Sequence, residues 1–408
     1  MDATSPTPNV DRNCAPPHGP TPIMRTIVAH SDHVDVADAI REVLTEAEQQ
    51  LAGDRPLGGL LYATTEYDHD ALLAAITARW PGLPLIGAST AGEVSSKRGY
   101  CADSVCLTLF AGQGFEVVTG QGLAPSQDVA TAVQQVLAPL GQRKPALAIL
   151  HCPGTVGNPS EVLRVLHQQL GARACPIVGG LAGDHELTRN TRQFFGRSVT
   201  YDSLAVMFLC GDVRVSWGVA SGWFPIGGRH RVTRSLGNKV FAIEGKPAVD
   251  IYQSFWGDKV SASMGEFPLA VFTGDGPEDF MLRAAMSIDE AEGSVTFAGD
   301  VPEGSIVSLT EVVPEGLLSG TETSVRRATT GFAGGQPAIA LLFSCAARKW
   351  VLGSRAEGEI ERLTASLSAL GLPGVDFSGF YAFGEICPLA PDGPPLLHNE
   401  TCVTVLVG

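Results

Sequence analysis

The chain has few basic residues and no long apolar run, and these two absences exclude several classes of protein. Lysine and arginine together number 28, against 43 aspartates and glutamates, so the formal net charge is −15. Nucleic acids and anionic membranes require clustered basic side chains, and the runs 229–231 and 326–327 are too short to form such a patch. No stretch approaches the roughly 18 uninterrupted apolar residues of a membrane span. We therefore expect neither nucleic acid nor membrane as a partner.

The nine cysteines include no Cys-x-x-Cys pair, which excludes the usual spacing of zinc ribbons and dithiol redox motifs. Their number is odd and several lie in apolar runs, as expected for reduced thiols in a reducing compartment. Residues 1–22 lack the basic and apolar regions of a signal peptide. We expect a cytoplasmic protein with a disordered tail over these residues. Nucleotide binding is unsupported, because Ser89-Thr90 lacks the lysine and the glycine spacing of a P-loop.

A segment of small residues that ends in an acid occurs twice in the N-terminal half. Residues 84–93 read Pro-Leu-Ile-Gly-Ala-Ser-Thr-Ala-Gly-Glu, and residues 176–184 read Pro-Ile-Val-Gly-Gly-Leu-Ala-Gly-Asp. Around both copies we predict a helix, a strand, a helix, the turn and a further strand, in the same order. Residues 23–212 therefore contain one unit twice. The predicted helices are 36–51, 70–80, 129–140 and 159–170, and the strands that precede the second helices are 57–63 and 146–152.

The C-terminal half carries the same signal again. Residues 379–386 read Gly-Phe-Tyr-Ala-Phe-Gly-Glu-Ile and align without a gap on residues 87–94. A predicted strand and helix precede them, and a predicted strand follows. A weaker fourth candidate is Gly299-Asp300, followed by a predicted strand over residues 305–309.

Length and composition agree with a repeated architecture. A chain of 408 residues with 44% hydrophobic residues favours two domains or a pair of fused half-domains. The 47 glycines and 27 prolines imply many tight turns between short elements. We predict an α/β protein of mixed sheets, built from duplicated α-β-α-β-β units in two fused half-domains, residues 23–212 and 213–408.

The recurring Gly-acid turns have two interpretations. Glycine permits a positive φ or a close backbone approach, and the acid that follows it accepts N–H bonds that hold the turn. Alternatively, the turns converge on a pseudo-symmetric site where their carboxylates face a ligand, since sites between duplicated halves are common. The second interpretation gives a first set of candidate ligand-binding residues: Ser89, Thr90, Gly92, Glu93 and Asp184.

Several blocks, in their order along the chain, resemble the FIST family. Residues 86–93 and 178–184 resemble signatures of the FIST N-terminal domain, and residues 343–348, 379–386 and 398–401 resemble those of the FIST C-terminal domain. The resemblance covers nearly the whole chain after the tail. It implies an intracellular sensory protein that acts in signal transduction and binds a small ligand, such as an amino acid, and not an enzyme.

The resemblance also implies partners. Some bacterial members bind haem and respond to nitric oxide, and others are fused to, or encoded with, histidine kinases and cyclic-di-nucleotide enzymes. After the two FIST regions the chain has no room for a kinase, receiver or cyclase. We therefore expect a separate signalling protein, such as a histidine kinase or a cyclic-di-nucleotide enzyme, to carry the output.

A second set of candidate residues lies at predicted strand ends in the C-terminal half, where α/β sheets form pockets. Arg348 would hold a ligand carboxylate and Glu385 would meet an ammonium, a pair that suits an amino acid. The alternative is a structural ion pair between these two side chains. The complete second set is Cys345, Arg348, Tyr381, Glu385, His398 and Asn399.

Two further hypotheses have less support. In the first, Cys345 is a nucleophile with His398 as its base and Asn399 orienting that base, although no known motif surrounds the cysteine. In the second, haem binds through an axial His or Cys. The haem candidates are His185, which follows the turn at Asp184, and Cys152, which begins a Cys-Pro dipeptide.

Overall fold

The computed structural model describes residues 24–185, 190–256, 267–276 and 279–408. The predicted tail over residues 1–22 lies outside this part of the chain. The fold is mixed α/β, as predicted, but the repeating unit occurs three times. Each unit has a strand, a helix, a strand, a second helical segment and a strand, followed by a hairpin and a closing strand.

The first two units have the same elements in the same order. The first contains β1 (Met24–Ser31), α1 (Val36–Leu51), β2 (Gly58–Ala63), α2 (His69–Arg79), β3 (Leu85–Ser89), β4 (Glu93–Ser95), β5 (Gly99–Cys101) and β6 (Val105–Gly112). The second contains β7 (Phe115–Leu123), α3 (Val129–Leu137), β8 (Pro145–Cys152), α4 (Pro159–Leu170), β9 (Ile177–Leu181), β10 (Gln193–Phe195), β11 (Ser198–Thr200) and β12 (Ser203–Gly211).

The third unit is interrupted by an inserted sheet after its first strand, β13 (Val215–Ala220). The insert contains β14 (Phe224–Leu236), β15 (Lys239–Ile243), β16 (Lys246–Pro247), α5 (Ala248–Trp256), β17 (Leu269–Phe272), β18 (Phe280–Arg283), β19 (Ala285–Asp289), β20 (Ser294–Phe297) and β21 (Ile306–Glu311). The unit resumes with α6 (Pro314–Gly331), β22 (Ile339–Cys345), α7 (Ala346–Leu352), α8 (Glu357–Ala369), β23 (Phe377–Ala382), β24 (Glu385–Pro388), β25 (Pro395–His398) and β26 (Cys402–Val407).

Helix starts in the first two units follow from their capping residues. The side chains of Asp35, Asp68, Asp128 and Asn158 each accept a main-chain N–H at the start of α1, α2, α3 and α4. In α1 the buried residues recur every four positions, so one face packs on the sheet and the other faces solvent.

The hairpin of each unit pairs with a strand in the sheet of another unit. The β4–β5 hairpin of the first unit pairs with β23 of the third, and β10–β11 of the second pairs with β3 of the first. The β24–β25 hairpin of the third unit pairs with β9 of the second, which closes the cycle. The three resulting six-stranded sheets are ordered β1-β6-β2-β3-β10-β11, β7-β12-β8-β9-β24-β25 and β13-β26-β22-β23-β4-β5.

The central strands are buried on both faces, and alternate residues serve different layers. In β2, Leu60 and Tyr62 face a central core shared by all three sheets, whereas Leu61 and Ala63 pack under α1 and α2. The same alternation in β8 and β22 brings equivalent residues together in that core. His151 lies 5.4 Å from Tyr62 and 6.4 Å from Phe343 between ring centroids.

One glycine in each unit has the same steric role. A Cβ atom at Gly87, Gly179 or Gly379 would lie within about 2 Å of the carbonyl oxygen on the paired parallel strand, at 1.9, 2.1 and 1.8 Å respectively. No side chain fits at these distances, so glycine allows β3, β9 and β23 to lie closely against the parallel strands β2, β8 and β22.

The prediction that Gly299-Asp300 marks a fourth copy of the unit is wrong. Gly299-Asp300 follows β20 in the inserted sheet, and the strand after it is β21 rather than the closing strand of a unit. This sheet is ordered β18-β17-β21-β14-β15-β20-β19, with β16 paired to β15. A Gly-acid pair is a common turn sequence, so its recurrence here carries no information about the repeat.

We expect Gly379→Ala to destabilise the fold by about 3 kcal/mol or more, because its Cβ would overlap a backbone oxygen that is unable to move without separating two strands. Urea unfolding measures this loss. Gly358→Ala is the matched control: it lies in α8, where a Cβ meets only Leu318 methyls at 3.8 Å, and alanine favours the helix by about 1 kcal/mol. Equal stability of the two variants would contradict the steric argument.

Candidate functional site

The three Gly-acid turns lie against one another. Each pair of turns is joined by a main-chain hydrogen bond, so the turns form one cluster, called the turn junction below. The bonds run from Gly183 N–H to the Ser89 carbonyl (2.8 Å), from Ala91 N–H to the Tyr381 carbonyl (2.9 Å) and from Leu181 N–H to the Gly384 carbonyl (2.9 Å). The Ser89 hydroxyl also donates to the Gly183 carbonyl at 2.8 Å.

In the first turn, the carboxyl group of Glu93 is completely buried and is held by hydroxyls of its own unit. Thr90 donates to Oε1, and Ser104 donates to Oε2 at 2.5 Å. The Thr90 hydroxyl also accepts the Gly92 N–H at 3.1 Å. Nε2 of His30 lies 2.8 Å from the Ser104 hydroxyl. Burial raises the pKa of Glu93 to about 8 and lowers the pKa of His30 to about 4, so near pH 7 both side chains are mainly neutral.

The other two acids are also held within their own units. Glu385 Oε2 accepts the Thr401 N–H at 3.1 Å and the Thr401 hydroxyl at 2.7 Å, and burial raises the pKa of Glu385 to about 8. Asp184 accepts the Asn190 N–H at 3.3 Å. These are the contacts of carboxyls that support their own turns.

Arg348 lies in a buried ion pair, but its partner is Glu359 and not Glu385. Its Nη2 atom is 2.5 Å from Glu359 Oε1, and both side chains are fully buried. The remaining guanidinium donors are bound as well, to the carbonyls of Leu317 and Ser221 among others. An ion pair between Arg348 and Glu385 was one of the two interpretations of the sequence, since both residues lie at strand ends. In the structure, α8 places Glu359 beside the guanidinium instead. Tyr381 donates to the same Glu359 at 2.7 Å.

The surroundings of Cys345 do not favour a nucleophile. Burial, with Glu385 and Glu400 adding to it, raises its thiol pKa well above the ordinary value. His398 Nε2 is bonded to the Cys387 carbonyl at 2.8 Å, and burial lowers the His398 pKa to about 4. The amide oxygen of Asn399 accepts the Ala284 N–H at 3.4 Å, and no hydrogen bond among the described residues joins Asn399 to the His398 ring.

The two haem candidates do not fit an axial ligand. Both ring nitrogens of His185 are engaged, Nε2 with the Ala102 carbonyl and Nδ1 with Lys349 at 3.2 Å. Cys152 is buried in the apolar layer between the second sheet and its helices, where burial raises its thiol pKa. Within the described residues, no group of three or more His, Cys, Asp or Glu side chains is arranged to hold a metal ion.

A cavity of about 870 Å³ lies between the inserted sheet and the third unit. It is lined by β13, the β13–β14 connection, β18, α6 and the β24–β25 hairpin. Its apolar lining includes Trp217, Trp223, Phe224, Phe280, Met281, Leu282 and Leu389, and its polar lining includes Asp279, Ser319, Thr323, Arg327, His398 and Thr401. Two predicted features, His398 and the start of the last strand, therefore meet at this cavity.

Sequence reasoning missed several residues of these sites. Lys349 directly follows the predicted Arg348, and its Nζ donates to the Ala91 carbonyl at 2.6 Å in the turn junction. Thr401 was predicted only as the start of a strand. A longer repeat alignment finds it, because Glu400-Thr401 stands where the other units have Asp103-Ser104 and Asp202-Ser203. No sequence signal marks the cavity residues Trp223 and Arg327.

These features define an α/β protein of three interlocked units around one core. The family profile of the FIST N domain matches residues 59–246, and that of the FIST C domain matches residues 248–388. The chain belongs to the FIST family. FIST domains are sensory domains, which agrees with a sensory role. Among the described helices, none has the length and apolar character needed to span a membrane.

Comparison with relatives and solved structures gives little information about the function. Protein Rv0628c of Mycobacterium tuberculosis is 26% identical over 404 residues, which is 94% of this chain and 99% of the relative. Protein Mb0898c of Mycobacterium bovis is 24% identical over 383 residues, 91% of this chain and 96% of the relative. A cyanuric acid hydrolase from A. caulinodans aligns over 95% of this chain and 99% of its own, at 10% identity and a TM-score of 0.33. That likeness carries no functional argument.

We expect stability to fall as the pH rises from about 6.5 to 8. Glu93 and Glu385, each with a native pKa of about 8, keep protons in the native state that the unfolded chain releases near pH 4.3. Below about pH 6.5 the buried imidazoles of His30, His151 and His398, each with a pKa of about 4, have the opposite effect. Urea unfolding across this range measures both limbs.

Glu385→Gln should flatten the alkaline limb, because an amide has no proton to release, and the exposed Glu290→Gln should leave the profile unchanged. An alkaline limb of undiminished slope in a double Glu93→Gln, Glu385→Gln variant would show that other groups cause it.

Proposed function

We propose that the protein is a cytoplasmic sensor that binds a small amphiphilic ligand in the cavity between the inserted sheet and the third unit. One observation supports this proposal most strongly. A cavity large enough for a small ligand lies between the inserted sheet and the third unit, and Thr401 in its lining donates hydrogen bonds to Glu385. Small-molecule sites in proteins are typically concave, mainly apolar and located at such boundaries between substructures. Family membership supports the sensory role.

The charged residues of the cavity suit an amino acid. Arg327 on α6 donates from Nη1 to the Val219 carbonyl, and its other N–H groups suit a ligand carboxylate. Asp279, directly before β18, supplies the opposite charge. The aromatic and aliphatic lining, including Trp223 and Phe280, offers apolar contact. An amino acid with an apolar side chain has all three matching features. In this proposal, Arg327 binds the ligand carboxylate and Asp279 binds the ligand ammonium. The sequence analysis gave these two roles to Arg348 and Glu385.

A route from the cavity to the rest of the fold runs through Thr401. This residue lines the cavity and donates twice to Glu385, the first residue of β24. The β24 strand pairs with β9 of the second unit, so a ligand that shifts Thr401 acts on a contact between units. A ligand changes the conformation only if it binds the two states with different affinity. The output would pass to a separate protein, such as a histidine kinase or a cyclic-di-nucleotide enzyme.

We expect L-leucine, L-methionine or L-phenylalanine to raise the melting temperature of the purified protein, and L-aspartate to leave it unchanged. A ligand at a hundred times its Kd stabilises the native state by about 2.7 kcal/mol if it does not bind the unfolded chain. Differential scanning fluorimetry with a panel of amino acids measures the shift, and calorimetry gives the affinity.

Arg327→Ala should abolish the ligand-induced shift. Arg197→Ala is the control, because this arginine is exposed in the second unit and does not line the cavity. Asp279→Asn tests the ammonium contact separately. A shift that survives both cavity variants would place the site elsewhere, and the absence of any shift across the panel would exclude amino acids as the ligand class.

A further inference from the structure

The ammonium of Lys349 lies in the turn junction, and all three units contribute to its surroundings. Lys349 of the third unit is about nine-tenths buried, with 9% of its surface exposed. Its Nζ donates to the Ala91 carbonyl of the first unit at 2.6 Å and lies 3.2 Å from Nδ1 of His185 in the second unit. Neither the cavity nor the proposed sensing mechanism uses this side chain.

The amine of Lys349 is easily deprotonated compared with an exposed lysine. Burial lowers its pKa to about 8, against the opposing effect of Glu93 and Asp103. About one fifth of such amines are neutral near pH 7.4, whereas for an ordinary lysine the fraction is about one in a thousand. The neighbouring imidazole of His185 also has a lowered pKa, because of burial and of Lys349 itself. It is therefore a neutral proton acceptor beside the amine.

We propose that Lys349 is a reactive amine that takes small neutral aldehydes as a Schiff base, with His185 as the proton carrier. The Nζ lone pair forms a bond to the aldehyde carbon, the carbonyl π electrons move to the oxygen, and His185 carries the first Nζ proton to that oxygen to give a carbinolamine. His185 then accepts the second Nζ proton and passes it to the hydroxyl, which leaves as water when the C=N bond forms. The reaction consumes one amine and one aldehyde and needs no oxidant or reductant.

Burial and charge select the aldehyde. Only 9% of the Lys349 surface is exposed, so access to the amine favours small partners. Asp103 lies 3.4 Å from the His185 ring, and Asp184 directly precedes His185 in the chain. This acidic setting disfavours aldehydes that carry a carboxylate. The imine also leaves at most one N–H where the ammonium had three, so the reaction weakens the tie between the third unit and the first turn.

The test is reductive trapping of the full-length protein with acetaldehyde and cyanoborohydride near pH 7, followed by peptide mapping of ethylated lysines. The chain has only six lysines, so each site can be followed separately. We expect Lys349 to be ethylated about tenfold or more faster than Lys97, whose ammonium is partly exposed and paired with Asp376. Glyoxylate in place of acetaldehyde should label Lys349 poorly.

Two variants separate reactivity from structure. Lys349→Arg retains a cation for the Ala91 carbonyl and forms no imine, so labelling of the corresponding peptide should vanish while the other lysines are unchanged. His185→Gln leaves the lysine in place and should slow its labelling several-fold. Ethylation of Lys349 no faster than that of Lys97, or an unchanged rate in His185→Gln, would overturn the proposal. These readouts do not depend on whether an amino acid binds the cavity.

Discussion

The three units hold together because each completes its sheet with a hairpin from another unit. Each six-stranded sheet takes four strands from one unit and two from another, so no unit completes its hydrogen-bond ladder alone. The exchange also fixes the acid turns, because each turn is the segment that leaves its own sheet to enter the next. Main-chain bonds between the turns then follow from this geometry, and Glu93 and Glu385 each accept a bond from a hydroxyl that directly precedes a closing strand.

The three units share one backbone arrangement but have different side chains at equivalent positions. Equivalent positions in the central core hold Tyr62, His151 and Phe343. The hydroxyl that binds the turn acid is Ser104 in one unit and Thr401 in another. The inserted sheet is present in the third unit alone and creates the cavity against β13 and α6. The cation in the turn junction likewise comes from that unit. The repeat therefore supplies a scaffold, and departures from the repeat supply the candidate sites.

The sequence predicted those features of the fold that local patterns determine, namely helices and the repeated turns. Helices α1 and α4 were predicted with their observed bounds, since capping residues and buried positions at helical spacing mark them. Small residues at the turns also revealed the equivalence of the three copies. The sequence did not indicate which acid pairs with Arg348. The guanidinium contacts Glu359 because two helices meet there, and no spacing in the chain predicts that contact. The cavity joins segments more than 100 residues apart, such as Trp217 and Thr401, and therefore left no local signal.

Hairpin exchange also governs the order in which the chain acquires its structure during synthesis. The sheet that contains β4 and β5 is completed by strands from the opposite end of the chain, up to Val407. A ribosome-bound chain holding only the first unit would carry a hairpin without a partner strand and an unpaired edge at β3. Contacts at such large sequence separation make folding slow, because loop closure costs entropy before any pairing compensates for it. The final state is therefore reached only after the last strand has left the ribosome, and until then exposed strand edges would be natural targets for chaperones.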